Sequence, residues 1–167
     1  MSDSFIFWRQ PLRVAGPCPQ GAAVARLRER LEGRRFSVGP RLAGSIAGPE
    51  AAPAVRLWRK GPLAAAGDVI EFRGTLRADG GGSVFEGSAA YSVGTKVQFV
   101  GLLAMGALLL LAGAARELEG PARDEGMLGL GVIVAGVAAL WIFASHRTRG
   151  DQIRFIEQQL ESCVAEG

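Results

Sequence analysis

No charged residue interrupts residues 97–115, which read VQFVGLLAMGALLLLAGAA. Residues 127–145, MLGLGVIVAGVAALWIFAS, form a second uncharged stretch of nineteen residues, the same length as the first. Because an α-helix rises about 1.5 Å per residue, each stretch can cross the roughly 30 Å hydrocarbon core of a bilayer. The alternative, two helices buried in a soluble core, needs more surrounding chain than the remainder of these 167 residues supplies. The two stretches therefore predict two transmembrane helices.

The residues around the two spans predict how the chain crosses the membrane. Residues 116–126 link the spans and include Pro121, and so short a link makes the helices an antiparallel hairpin. Residues 1–96 contain fourteen Lys and Arg against eight Asp and Glu, whereas the link contains two arginines against four acidic residues. Since Lys and Arg favour the cytoplasmic side, we expect both termini in the cytoplasm and the link outside. The preference for arginine over lysine, with abundant Ala and Gly, is typical of a GC-rich bacterial gene and indicates the bacterial inner (plasma) membrane.

The clearest pattern outside the spans is a β hairpin. Residues 70–77 and 84–93 alternate between apolar and polar side chains, and ADGGG at residues 78–82 supplies the turn. Gly87, inside the second strand, indicates a bulge or close packing. The second strand runs almost directly into the first span, so we expect the sheet to lie against the membrane surface.

The remaining segments predict shorter elements. Residues 5–8 are apolar and aromatic and predict a strand that ends before Pro11, with a membrane-surface patch as the alternative. Residues 20–32 place apolar side chains on one helical face, and weaker alternation predicts strands at 42–47 and 55–59. After the second span, a final helix capped by Thr148 or Asp151 has one apolar face, which is formed by Ile153, Ile156, Leu160 and Cys163.

These patterns predict an α+β membrane protein: a small antiparallel sheet with one or two amphipathic helices, interrupted by a two-helix transmembrane hairpin. The expected organisation is a cytoplasmic α+β domain at 1–96, a first transmembrane helix at 97–115, an external loop at 116–126, a second transmembrane helix at 127–145 and a cytoplasmic amphipathic helix at 146–167.

The hairpin and the elements after it also carry a resemblance. The segment EFRGTL at residues 71–76, the Gly-rich turn and FEG at residues 85–87 form a strand of the type Phe-x-Gly-x-hydrophobic, a turn and a strand with a central Gly. This arrangement resembles a loose class of small bacterial two-helix membrane proteins with a β hairpin, a transmembrane hairpin and a C-terminal amphipathic helix. The resemblance covers residues 69–164 and departs from the class at the turn, where Gly82-Ser83 replaces Gly-Thr. It implies an architecture, and no chemistry is assigned to the class.

Motifs for catalysis, cofactors and metals are not found in the sequence. The Gly-rich turn has no Lys to meet a phosphate, and no serine lies in a Gly-x-Ser-x-Gly elbow. Cys18, Cys163 and His146 are far apart in the sequence, so they could bind one metal ion only if the fold happened to bring all three together. Because the two cysteines lie at opposite ends of the chain, a disulfide scaffold is excluded. We therefore expect no enzymatic activity, no cofactor and no metal, and no small-molecule substrate is identified. No aromatic residues are interleaved with the arginine cluster, so we expect no nucleic-acid partner.

Small residues and arginines are the candidate contact residues. Small residues on one face of each span favour close helix packing: Gly106, Gly113, Gly131, Ala135 and Ala139. Packing within one hairpin is favoured over a dimer seam, because the short link already makes the helices neighbours. Basic residues near the membrane are candidates for contact with anionic lipid headgroups: Arg26, Arg30, Arg34, Arg35, Lys96 and Arg147. A solvated helix face is the alternative interpretation of the arginine cluster.

The leading hypothesis is a non-enzymatic bacterial inner-membrane protein whose membrane-apposed cytoplasmic domain mediates association with a protein partner or with itself. An accessory subunit of a larger membrane complex is the alternative. A membrane enzyme built from scattered residues such as Asp68, Tyr91 and His146 is the third hypothesis.

Overall fold

A computed structural model describes residues 7–32, 40–60, 70–119 and 125–165, and within these ranges the chain has an α+β fold. The described elements are five strands and three helices: β1 Arg9–Gly16, α1 Gln20–Glu32, β2 Arg41–Ala47, β3 Ala54–Lys60, β4 Ile70–Asp79, β5 Gly82–Tyr91, α2 Val93–Glu119 and α3 Glu125–Val164. The chain divides into two compact units. We call residues 1–92 and 149–167 the sheet unit, and residues 93–148 the helix unit.

The sheet unit contains one five-stranded sheet in the order β1-β5-β4-β3-β2, and each neighbouring pair is antiparallel. The predicted hairpin is its centre. Gly80 and Gly81 form the turn between β4 and β5 with φ angles of 56° and 98°, which L side chains rarely adopt. Gly87 pairs in register with Gly74 and marks close packing without a bulge.

The N-terminal strand differs from its prediction. β1 covers Arg9–Gly16, whereas the predicted segment reaches only Trp8, and residues 5 and 6 lie outside the described ranges. Pro11 was expected to end the strand but lies inside it. β1 is an edge strand, so a residue without an N–H can be accommodated there.

The core of the sheet unit lies on one face of the sheet, which we call the inner face. Side chains from alternate positions of the strands are buried there: Leu12, Val14, Val55, Leu57, Ile70, Phe72, Leu76, Phe85 and Ala89. α1 begins and ends at the predicted residues and buries Ala23 and Leu27. The C-terminal part of α3 buries Ile153, Ile156 and Leu160, and the Arg59 guanidinium lies 5.3 Å from the Phe155 ring centre.

The end of α3 is anchored to the link between β1 and α1. The Cys18 N–H donates to the Val164 carbonyl at 3.1 Å. A Cβ on Gly16 would lie 2.7 Å from the Val164 carbonyl carbon, so only glycine allows this approach. The C-terminal part of α3 therefore packs against the other elements of the sheet unit.

The helix unit contains α2 and the first part of α3. α2 includes the predicted span 97–115 and extends beyond it at both ends, and residues 120–124 of the predicted link lie outside the described ranges. α3 passes through Thr148 and Asp151, so the predicted N-cap at either residue is wrong. The Thr148 hydroxyl instead donates back to the Ala144 carbonyl at 3.1 Å, as a residue inside a helix does.

The helices α2 and α3 contain stretches long and apolar enough to cross a membrane, Val93–Ala115 and Leu128–Val164. In the most apolar window of each, only 17% of the residues are buried. Large apolar side chains are instead exposed, among them Leu108, Leu111, Leu140 and Phe143. A core helix of a soluble protein would bury such side chains.

Candidate binding face of the sheet

The face of the sheet opposite the core, here called the outer face, is strongly charged. Its side chains come from the strand positions that alternate with the core positions. Cationic side chains outnumber anionic ones: Arg9, Arg13, Arg56, Arg73 and Arg77 lie with Glu71, Asp79 and Glu86 on β1, β3, β4 and β5. This arrangement gives the outer face a mixed but net positive charge.

At the centre of the outer face, Glu71 is held by two arginines, and we call Arg56, Glu71 and Arg73 the arginine clamp. Arg73 donates from Nε to Glu71 Oε1 at 2.8 Å and from Nη2 to Oε2 at 3.1 Å. Arg56 donates from Nε to the same Oε1 and from Nη2 to Oε2 at 3.2 Å. The Glu71 side chain is 4% exposed, whereas those of Arg56 and Arg73 are 54% and 53% exposed. Two half-exposed guanidinium groups therefore cover one buried carboxylate.

Strand register builds the clamp. Arg56 on β3 lies directly opposite Arg73 on β4, and Trp58 lies directly opposite Glu71. Glu71 and Arg73 are two residues apart on one strand and share a face. The Arg56 guanidinium also lies 5.7 Å from the centre of the Trp58 ring, within the range of a cation–π contact. Trp58 and Glu71 thus restrict Arg56 from two sides.

The clamp keeps the Glu71 carboxylate ionised. Burial by itself raises the pKa of Glu71, but the hydrogen bonds and positive charges of Arg73 and Arg56 outweigh it. The net pKa of Glu71 is therefore below its ordinary value of 4.5. The same bonds raise the pKa of Arg73 above its ordinary value, so both partners stay charged.

Two weaker polar contacts lie nearer the β1 edge of the outer face. Arg9 Nε donates to the Ser88 hydroxyl at 2.8 Å. Arg13 and Asp79 form an ion pair at 3.6 Å between exposed side chains. Solvent and salt screen such exposed pairs, so the buried clamp is the better-ordered part of this face.

The arginines predicted to bind lipid are in part occupied within the sheet unit. Arg26 Nη1 donates to Cys18 Sγ at 3.3 Å and to the Cys163 carbonyl at 3.4 Å. Arg30 Nη1 donates to Gln159 Oε1 at 2.9 Å. Both therefore join α1 to the end of α3, a long-range contact that helical periodicity does not reveal. Arg34 and Arg35 lie outside the described ranges, and in the helix unit Arg147 is exposed and Lys96 is half-buried.

The predicted helix-packing residues lie between α2 and α3, with one exception. A Cβ on Gly106 would lie 3.4 Å from the Ala135 Cβ, and one on Gly131 would lie 3.0 Å from the Leu110 side chain. Gly113 is buried in the same way against Leu128.

The exception is Ala139, which is exposed in the helix unit. Ala138, which is 1% exposed, is buried instead. An α-helix has 3.6 residues per turn, so residues on one face are separated by four or three positions, here Gly131, Ala135 and Ala138. A Phe99–Trp141 contact, with ring centres 6.2 Å apart, joins the same two helices.

Cys18 and Cys163 are far apart in the sequence, but both contact Arg26. Both are buried and free. Burial raises the pKa of Cys163, although Arg30 and Arg26 oppose the change, so this thiol is protonated at neutral pH.

The other residues considered for chemistry are Asp68, Tyr91 and His146. His146 is exposed, and Asp68 lies outside the described ranges. The pKa of Tyr91 is raised by burial and lowered in part by Arg149. In the part of the chain that the structure describes, no group of three or more His, Cys, Asp or Glu side chains is placed to hold a metal ion.

Two cavities flank α1. One of about 400 Å³ lies between α1, β2 and α3 and is lined in part by Arg30, Leu42 and Phe155. The other, of about 230 Å³, lies between α1 and the β2–β3 turn, near Val24 and Ile46. The described linings of both include no Ser, Cys or His, the side chains that most often act as nucleophile or base.

Sequence reasoning missed the arginine clamp. Alternation along β4 already places Glu71 and Arg73 on one face. The partnership with Arg56, fifteen residues earlier, depends on the β3–β4 register, which the weak alternation of the preceding segment does not specify.

Comparisons with known proteins do not assign a family. No family model and no curated protein matches the chain. A crystal structure of Ara h 8.0201 is similar at 11% sequence identity, over 84% of this chain and 99% of that one. Its TM-score of 0.29 is too low for the likeness to carry an argument about fold or function.

Proposed function

We propose that this protein is a non-enzymatic, multi-pass protein of the bacterial inner membrane. Its membrane-apposed cytoplasmic sheet unit binds a partner protein through the outer face. In this proposal the apolar stretches of α2 and α3 cross the bilayer and both termini are cytoplasmic. Membrane lipid surrounds the helix unit.

The membrane part of the proposal is supported by the exposed apolar surface of the two helices. Lipid would cover side chains such as Leu108 and Phe143, which are 67% and 64% exposed. Basic residues are enriched in residues 1–96 and depleted between the spans, which favours cytoplasmic termini.

The association part is carried by the outer face. The inner face buries the core beneath α1 and α3, while Arg56 and Arg73 on the outer face remain more than half exposed. Arg and Trp are the residue types enriched at protein interfaces, and here they lie beside each other on a rigid sheet. A rigid, charged surface beside a half-buried tryptophan is typical of a recognition site.

Photo-crosslinking in the native cells tests the association. A photoreactive amino acid is placed at Ala54 or Arg77 on the outer face and, as a matched control, at Ala25 on the exposed side of α1. We expect a discrete adduct with another protein from the outer positions only. Adducts of equal yield from Ala25, or none from either outer position, would contradict the proposal.

Reporter fusions test the topology. A reporter enzyme that is active only outside the cytoplasm should be inactive when fused after Gly167 and active when inserted between residues 119 and 125. The opposite pattern would overturn the orientation. Purification in mild detergent then shows whether the cross-linked partner is stoichiometric, which would make this chain an accessory subunit of a larger complex.

A further inference from the structure

The arginine clamp leaves hydrogen-bond donors unused. A guanidinium group has five N–H donors, and Arg56 and Arg73 each use Nε and one Nη2 hydrogen on Glu71. No other hydrogen bond is described for either side chain. Because both are about half exposed, their remaining donors are accessible to solvent or to a ligand.

The clamp is also preorganised. Arginine side chains normally lose rotamer freedom when they bind, and this loss reduces affinity. Here the buried Glu71 carboxylate holds both guanidinium groups at fixed positions, and the Trp58 ring lies within cation–π range of one of them. Most of the loss of side-chain rotamer freedom therefore occurs during folding, so less of it opposes ligand binding.

The charge of the clamp selects an anion. Two guanidinium cations share one carboxylate, so the clamp keeps a net positive charge. Planar oxyanions, above all carboxylates, match the paired donors of a guanidinium group. Glu71 thus positions the two arginines and is not itself the ligand-binding group.

We propose that the arginine clamp is the subsite that recognises a carboxylate side chain in an acidic segment of the partner protein. This inference rests on the proposed function and names the chemistry of that same face. The wider outer face mixes both signs of charge, since Asp79 and Glu86 lie among its arginines, so it fits a protein with localised acidic groups better than a uniformly anionic surface such as a membrane. A protein segment can place acidic groups at the clamp and avoid these two residues.

Binding of acidic peptides to the full-length protein in a non-ionic detergent tests the inference. The probe is a fluorescent, end-capped hexaglutamate peptide, and hexaglutamine is the matched control, with affinity measured by fluorescence anisotropy. Arg56→Lys and Arg73→Lys keep the positive charge but remove the paired donors, so we expect each to weaken hexaglutamate binding about tenfold or more. Arg77→Lys, on the same face but outside the clamp, should change it less than about twofold.

Several results would overturn the inference. Full binding in Arg56→Lys and Arg73→Lys would show attraction to general positive charge, because lysine keeps that charge. Equal losses in all three Lys variants would show that the clamp is not the specific subsite, and equal binding of hexaglutamine would show that the carboxylate group is not recognised. Stronger binding to phosphatidylglycerol vesicles or to inorganic phosphate than to hexaglutamate would replace the acidic segment with an anionic lipid or a free anion. Circular dichroism of each variant confirms that it is folded.

The cross-linking yields separate this inference from the proposed function. If Arg56→Lys and Arg73→Lys lower the adduct yield from Ala54 and the adduct maps to an Asp- or Glu-rich segment, the proposed function and the role of the clamp are both supported. If the adduct persists unchanged in these variants, the outer face still binds a partner but the clamp does not recognise it. If no outer position gives an adduct, the proposed function itself fails.

Discussion

Replacing Glu71 by glutamine removes the charge at the centre of the arginine clamp and keeps the side-chain size. The Glu71→Gln amide oxygen can still accept hydrogen bonds, but its NH₂ group faces donors from Arg56 and Arg73, so two of the four bonds are lost. Hydrogen bonds to charged groups contribute about 1.5–3 kcal/mol each when buried. Because both guanidinium groups are about half exposed, water compensates for much of this loss. We therefore expect the free energy of unfolding to fall by about 2 kcal/mol.

Thermal unfolding of the full-length protein in non-ionic detergent measures the effect. For a unit of this size, a loss of about 2 kcal/mol lowers the Tm by roughly 8 °C or more. Tryptophan fluorescence is a suitable probe, since Trp58 lies directly opposite Glu71 in the sheet. The matched control is Glu86→Gln, an exposed carboxylate on the same face, which should change stability by less than about 0.5 kcal/mol. Equal Tm values for the two variants, or a higher Tm for Glu71→Gln, would show that ionised Glu71 does not stabilise the sheet unit.

The same pair of proteins has a defined pH dependence. The pKa of Glu71 in the folded protein is lower than its ordinary value of 4.5, which applies to the unfolded chain. The stabilisation by ionised Glu71 is therefore fully present above about pH 4.5 and is lost as the pH falls through the lower, folded pKa. The stability difference between wild type and Glu71→Gln should shrink over that acidic range. A difference that grows as the pH falls would show that the sign of the pKa shift is wrong.

Three further predictions use glycine contacts and a buried thiol. Gly131→Leu should destabilise α2–α3 packing by about 1–3 kcal/mol in thermal unfolding followed by far-UV circular dichroism, whereas Gly136→Leu, with open space around it, should not. Gly16→Ala should destabilise the sheet unit, because its Cβ meets the end of α3, while Gly21→Ala should leave stability unchanged or raise it by up to about 1 kcal/mol. Cys163, which is buried with a raised pKa, should resist alkylation at pH 7 until denaturant is added, and rapid labelling of the folded protein would contradict its burial.

Elements with a strong local period were predictable from the sequence. α1 was predicted at its observed bounds because apolar residues repeat with the helical period from Gln20 to Glu32. The β4–β5 hairpin was predictable because alternation flanks glycines that can adopt the positive φ angles of the turn. The two apolar helices were predictable because residues 97–115 and 127–145 contain no charge. Membrane insertion and topology remain predictions for experiment.

Features that depend on partners distant in the chain were not predictable in the same way. The first strand was predicted too close to the N-terminus, because a proline such as Pro11 is locally typical of a strand end. Pro11 is tolerated inside β1 only because β1 lies at the edge of the sheet. Ala139 was predicted as a packing residue from spacing by four, but Ala138 is the buried residue. An α-helix has 3.6 residues per turn, so repeated spacing by four moves away from the buried face.

The types of element and the two apolar helices therefore follow from local sequence, because they depend on periodicity and charge within one segment. Tertiary structure alone decided the arginine clamp, since the β3–β4 register brings Arg56 opposite Arg73 and over Glu71. It also decided that Cys18 and Cys163 contact the same arginine, because the C-terminal part of α3 packs beside α1. Such contacts join residues far apart in the chain, and no local sequence pattern specifies which strand register or which side-chain partners are the most stable.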